Sequence, residues 1–251
     1  MRMRRRGIKA VRLAAAIGGC AALAPILVRA GPPYVTDDPE PTDPGYWENY
    51  IFLSGVRKPG DAEGQAGFDL NYGAFNDVQL TAVIPLDYDT QSTVGLSDVV
   101  LGVKYRFLHQ GDGSPTPDVS FFPQLSTPVQ NPRFGPDRAQ LFLPIWAQKD
   151  WGKWSLFGGG GYQLNPGSGE RNFWLSGVAL SRTIGDQFSL GAEIYHQTAN
   201  TPAARDFTGV NLGVTYKLTT HWALMGAGGP GVQNAQQSGL YDFYLALLAT
   251  Y

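Results

Sequence analysis

In the stretch LGVKYRFL, Leu101, Val103, Tyr105 and Phe107 alternate with Gly102, Lys104 and Arg106. In TGVNLGVTYKL, Val210, Leu212, Val214, Tyr216 and Leu218 alternate with Asn211, Gly213, Thr215 and Lys217. A period of two sends successive side chains to opposite faces of a strand. Apolar alternation of this kind, bounded by Gly, Pro, Asn and Asp, predicts strands near 47–56, 66–75, 77–87, 97–108, 118–127 and 137–149, and near 153–164, 172–183, 187–198, 207–218, 222–231 and 240–251. Helical periodicity is missing. The connections alternate in length: Asn76, Asp150 to Gly152, Gly185 to Asp186 and Thr219 to His221 are short, whereas 57–65, 88–96, 128–136, 165–171, 199–206 and 232–239 are long. Short turns at one rim and long loops at the other are the plan of a bacterial outer-membrane barrel. One connection departs from it, because HQGDGSPTP at 109–117 is long where a short turn is expected.

Alternation alone does not say which face meets water. A soluble sandwich turns its apolar face inward against a second sheet, and a membrane barrel turns it outward against lipid. The run LYDFYLALLATY at 240–251 fits either reading, with Tyr241, Phe243, Leu245, Leu247, Ala249 and Tyr251 on one phase. Two features favour lipid. Trp47, Phe75, Phe107, Trp154, Phe188, Trp222 and Tyr251 collect at the strand ends of the short-turn rim, as an interfacial aromatic girdle does. The opposite phase carries Asp69, Lys104, Arg106, Arg138, Glu193, Lys217 and Asp242, which suit a watery lumen and would be costly in a dry core. These seven are the candidate pore-lining residues. The predicted fold is all-β: a transmembrane, antiparallel, up-and-down β-barrel of about twelve strands, outer-membrane type, over 47–251.

Some residues strain that picture. Pro85, Pro123 and Pro144 fall inside predicted strands and lack the amide donor that a closed ladder needs, so bulges are expected there. The four glycines at 158–161 are expected to let bulky inward neighbours, Trp146 and Trp174, approach the wall.

Composition then supplies the compartment. Residues 1–30 place a basic start, MRMRRR, ahead of an apolar stretch from Leu13 to Val28, the order of a secretory signal. Broken by Gly18, Gly19 and Pro25, that stretch is too short to span a bilayer comfortably. Val28-Arg29-Ala30 suits cleavage before Gly31. The single cysteine, Cys20, sits in this segment, where it makes a poor lipidation site because the apolar stretch continues beyond it. The remainder holds 12 Lys and Arg against 21 Asp and Glu, a formal charge of −9, which argues against nucleic acid as a partner.

Taken together, GPPYVTDDPEPTDPGYWENYIF after the signal, the repeated alternation, GAEIYHQT at 191–198 and the aromatic terminus resemble the outer-membrane β-barrel transporters of the MetA-pathway of phenol degradation family. The resemblance covers nearly all of the chain beyond residue 30. It implies a barrel in the outer membrane of a Gram-negative bacterium that passes small, aromatic or apolar compounds, and it carries over no catalytic residues.

Between signal and barrel, Pro32, Pro33, Pro39, Pro41 and Pro44 rule out regular structure over 31–46. That segment is either a periplasmic tail or a plug whose Asp37, Asp38, Glu40 and Asp43 face basic wall residues. No phosphate-binding loop, HExxH or clustered Cys/His set occurs, so no metal or cofactor is expected. Barrel lipid hydrolases place His and Ser two apart on a strand, and His196 with Thr198 imitates that spacing with the wrong nucleophile and no evident orienting partner. The expectation is a channel rather than an enzyme, with a non-conducting structural or receptor barrel as the alternative. The partners expected are outer-membrane lipid, small solutes, and the barrel-assembly machinery that would read the terminal strand. Mass spectrometry of the purified protein should find its first residue within a few positions of Gly31, and retention of residues 1–30 would overturn the signal reading.

Overall fold

The structure, a computed structural model, describes residues 33–90, 94–128 and 138–251; the proposed signal segment lies outside the described residues. Among the described residues fourteen strands follow one another: β1 Trp47–Lys58, β2 Asp61–Phe75, β3 Val78–Asp89, β4 Val94–Leu96, β5 Val99–Leu108, β6 Asp118–Phe121, β7 Gln124–Thr127, β8 Gln140–Trp151, β9 Trp154–Leu164, β10 Phe173–Ile184, β11 Phe188–Gln197, β12 Phe207–Lys217, β13 Trp222–Gln233 and β14 Tyr241–Thr250. Among the described residues one short helix, α1 Ala235–Ser238, joins β13 to β14. β4 and β5 are one stave interrupted at Ser97 and Asp98, and β6 and β7 are another interrupted at Phe122 and Pro123, so the wall has twelve staves.

Each stave pairs antiparallel with its sequence neighbours, and β1 closes the ring on β14 from Glu48 against Thr250 to Arg57 against Tyr241. The closing seam is finished at the short-turn rim by Trp47 N–H to Tyr251 O at 2.8 Å and Tyr251 N–H to Trp47 O at 3.1 Å. Closure matters because lipid offers no partner to an unpaired amide, and an open edge would leave a row of them.

The two phases behave as the barrel reading requires. Leu101, Val103, Tyr105, Ile194 and Leu212 are exposed on the outside, Leu212 to 69%. Inside, Tyr50, Phe52, Ala223, Met225, Ala246 and Leu248 form an apolar cluster on β1, β13 and β14. Asn71, Gln79, Thr81, Lys104, Ser120 and Gln148 are buried on the inner face of β2, β3, β5, β6 and β8. The lumen therefore has an apolar side and a polar side.

Four details differ from the sequence expectations. Residues 57–65 are not a loop, because β1 and β2 continue in register to Lys58 against Asp61 and turn on Pro59 and Gly60 alone, Gly60 at φ 78°. Their hairpin exceeds the roughly 9–11 residues that a membrane strand requires. Secondly, the prolines need fewer bulges than expected. Pro85 faces Gly67 and Pro144 faces Gly161 with no shift of register. A Cβ on Gly67 would lie 2.4 Å from Ile84 O, and one on Gly161 would lie 2.5 Å from Pro144 Cα, so glycine lets the partner strand close up against the proline. Trp146 is inward and 2% exposed, but Trp174 faces outward, 58% exposed, and packs on Tyr162 with centroids 5.0 Å apart. It shares its phase with Val178 and Leu180, both exposed. Finally, β8 begins at Gln140, so Arg138 is an exposed residue of the preceding loop and not a wall residue.

If this wall faces lipid, Val103→Arg or Leu212→Arg should lower folding stability by about 2–4 kcal/mol near the midplane, read by denaturant titration in detergent. Thr215→Arg, on the inner face beside an open cavity, tests the opposite phase, and equal loss at all three positions would contradict the assignment of faces.

Candidate functional site

Residues 33–46 run into the barrel from the short-turn rim, where Tyr46 precedes β1. Pro44 bridges Gly73 of β2, with Gly45 N–H to Gly73 O at 2.8 Å and Gly73 N–H to Tyr46 O at 3.0 Å. A Cβ on Gly73 would sit 2.0 Å from Asp43 O, so only glycine admits the segment there. Thr42 donates its amide (2.8 Å) and its hydroxyl (3.0 Å) to Gln79 Oε1 on β3. Gln79 is itself oriented by Asn71 and Thr81.

The middle of the segment is held by charge. Lys104 Nζ lies 3.1 Å from Asp37 Oδ2 and 3.6 Å from Asp38 Oδ1, and it donates to Asp38 O at 3.0 Å. Its side chain is 5% exposed, and the ammonium also stands 5.0 Å from the Phe122 ring centroid. Burial pushes the Asp38 carboxyl up, against the opposing pull of Lys104.

Across the lumen, Glu193 on β11 accepts the amides of Thr36 at 2.5 Å and Val35 at 3.2 Å, and Asn211 Nδ2 donates to it at 3.1 Å. Three inward glycines make the space. A Cβ on Gly177 would lie 2.0 Å from Thr36 Oγ1, while those on Gly191 and Gly213 would lie 2.5 and 2.4 Å from the Tyr34 ring atoms. The segment thus bridges opposite walls, with Pro39 and Thr36 fully buried.

Around it lie three cavities. One of about 350 Å³ runs along the segment beside Lys104, Arg106 and Trp146. Another, about 310 Å³, opens on the short-turn side at Lys153, Ser155 and Lys217. A third, about 660 Å³, opens on the long-loop side at Glu63, Asp87 and Asp242.

The seven sequence candidates separate accordingly. Asp69, Lys104 and Arg106 line the cavity along the segment, Lys217 lines the short-turn vestibule and Asp242 the long-loop vestibule. Glu193 is buried under the segment, and Arg138 is out in its loop. Arg106 is not free in the lumen, because its Nε and Nη2 each lie 3.0 Å from Asp77 Oδ1 and its Nη1 is 3.7 Å from Asp118. That contact pins the turn at Asp77, a non-glycine residue at φ 63°. Sequence reasoning missed Gln79, Thr36, Tyr34 and Tyr195. The available signal was the run of inward-phase glycines, which marks where something presses on the wall.

His196 and Thr198 do not form a pair. The His196 ring meets Thr208 Oγ1 at 2.9 Å, and Thr198 Oγ1 accepts the Trp174 amide at 2.9 Å. Thr208 in turn donates to Gln233 Oε1 at 2.6 Å, so its single proton is not directed at the imidazole.

The family described as "Putative MetA-pathway of phenol degradation" matches residues 35–247, from the lumenal segment to the last strand. The chain belongs to this family. The chain is also similar to an outer-membrane channel from Pseudomonas putida F1, at TM-score 0.67 and 14% identity over 85% of this chain and 98% of that one. The NanC porin follows at TM-score 0.58 and 10% identity, over 81% of this chain and 99% of that one. At such identities the likeness establishes the fold, a closed twelve-stave outer-membrane barrel. No curated protein sequence matches the chain.

Removing one member of a buried ion pair costs about 3–5 kcal/mol, so Lys104→Met should unseat the lumenal segment. A cysteine placed at Thr36, buried in the native protein, should react with a maleimide far faster in the Lys104→Met background. An unchanged labelling rate would show that Lys104 does not hold the segment.

Proposed function

We propose that the protein is a channel of the Gram-negative outer membrane for small solutes, aromatic or apolar in body, and that residues 33–46 form its constriction. The observation that carries this reading is the segment bridging the lumen between Lys104 and Glu193, with an open cavity on each side of it. A barrel with a purely structural role has no use for two solvent-facing vestibules meeting at a narrow, polar-anchored crossing. Affinity for aromatic or apolar solutes draws support from Tyr34, Tyr195 and Tyr244 around the larger vestibule. Family membership fits the same substrate class.

Hydrolysis at the outer rim is disfavoured by chemistry already described: the His196 ring is turned to Thr208, and the Thr198 hydroxyl is taken by a backbone amide. We assign the protein no catalytic role.

Single-channel recording in planar bilayers tests the channel. The mature protein should give a small, discrete conductance, and deleting residues 33–44 should raise it several-fold while the barrel keeps its heat-modifiable migration. If neither form conducts, the alternative of a non-conducting receptor or structural barrel stands instead.

A further inference from the structure

The larger vestibule, on the long-loop side of the segment, is uneven in its chemistry. Every charged residue on its wall is a carboxylate: Glu63, Asp87, Asp89 and Asp242. Lys58 reaches Glu63 from outside that wall. The hydrogen-bond donors that the structure pairs there are already committed: Tyr195 OH to Asp242, Tyr88 OH to Ser54 O at 2.8 Å, and Asn211 Nδ2 to Glu193 at 3.1 Å.

Two acceptors on this wall are left unmet. Asp87 Oδ1 and Asn211 Oδ1 are buried and have no hydrogen-bond partner among the described residues. Asn211 is 5% exposed, on the inner face of β12, so its orphan oxygen is costly unless something donates to it. Aromatic rings complete the wall: Tyr34 from the segment, Tyr195 from β11 and Tyr244 from β14. Tyr195 can lie along the wall only because Gly209 is beneath it, where a Cβ would fall 2.6 Å from the ring.

We propose that this vestibule is a binding site for small organic cations, protonated amines with an aromatic or apolar body. An ammonium group supplies the donors that the orphan oxygens lack and the positive charge that the carboxylates favour, and the tyrosine faces accept both the cation and its ring. An anion of the same size meets only like charge, and a neutral alcohol offers a single donor. The proposal deepens the channel reading by naming the solute class of its outer mouth, and depends on that reading only for how the solute arrives.

Calorimetric titration of the folded, full mature barrel in detergent, with benzylammonium, benzyl alcohol and benzoate as probes, tests it without any need for conduction. Benzylammonium should bind about tenfold or more tightly than benzyl alcohol, and benzoate should not bind. The double variant Asp87→Asn, Asp242→Asn should bring the amine down to the affinity of the alcohol; Asp87→Asn alone, which takes no hydrogen bond from that orphan oxygen, should close part of the gap if the pair misfolds. Equal affinity for amine and alcohol, binding of benzoate, or variants indistinguishable from the parent would overturn the proposal. Binding of the amine by a barrel that conducts nothing would sink the channel reading and sustain the vestibule, and conduction without amine binding would do the reverse.

Discussion

The constraint beneath the whole structure is that a backbone in lipid must satisfy its own hydrogen bonds, and here the seam between β1 and β14 is where that is achieved. Once the ring is closed, any residue that cannot donate is a local fault, and the described wall holds four: Pro85, Pro123 and Pro144 on the third, fifth and sixth staves and Pro230 on β13. Pro85, Pro123 and Pro144 still contribute as acceptors, from Ser97, Val103 and Phe122 at 3.0, 3.1 and 3.1 Å. Glycines opposite Pro85 and Pro144 let the strands approach where the ladder is thinned. The interruptions at Ser97–Asp98 and Phe122–Pro123 fall in the same part of the wall, so irregularity is concentrated there, and the β9 to β14 side departs from regularity at Pro230 of β13 and at one shift between β12 and β13.

Closure also fixes the inside. Twelve staves leave a lumen narrow enough that a single extended segment reaches from Gly73 to Gly213, touching opposite walls. The apolar inner side and the polar inner side then have separate roles. Polar groups of β2, β3, β5 and β11 hold the segment through Gln79, Lys104 and Glu193, while the aromatic and aliphatic groups of β1, β13 and β14 pack on one another as a buried cluster. Both charged anchors act on the backbone or on acids of a segment that forms no helix or strand of its own.

How much of this is legible in the sequence depends on what lipid enforces. Staves such as Val99–Leu108 and Phe207–Lys217 stand where the alternation predicts, because the outer face must be apolar at every second residue. The stretch Asp61–Gln65 reads as a polar loop for the converse reason. Beyond the lipid no apolar face is required, and the hairpin continues on backbone pairing and turn chemistry at Pro59–Gly60 alone. Arg138 is misread through the same limit, since alternation says little about where a strand ends at a wet rim. Tail or plug stays open because prolines state only what a segment does not form. The information that bears on its place is in Gly177, Gly191, Glu193 and Gly213, far along the chain, where it becomes meaningful only in three dimensions.

That separation has a consequence for the order of events in folding. Val35 and Thr36 bond to a carboxylate 158 and 157 residues later, so the first part of the segment to leave the export machinery has its partner among the last strands to be placed. It is joined directly to β1, whose outer edge pairs with β14, the last strand of the chain. A segment of high strand propensity waiting there would compete for that edge and trap a misregistered sheet. Four prolines and four acids between Pro33 and Pro44 make it a poor strand and a soluble one, so the composition that suits the finished lumen also keeps the unfinished wall free of a false neighbour.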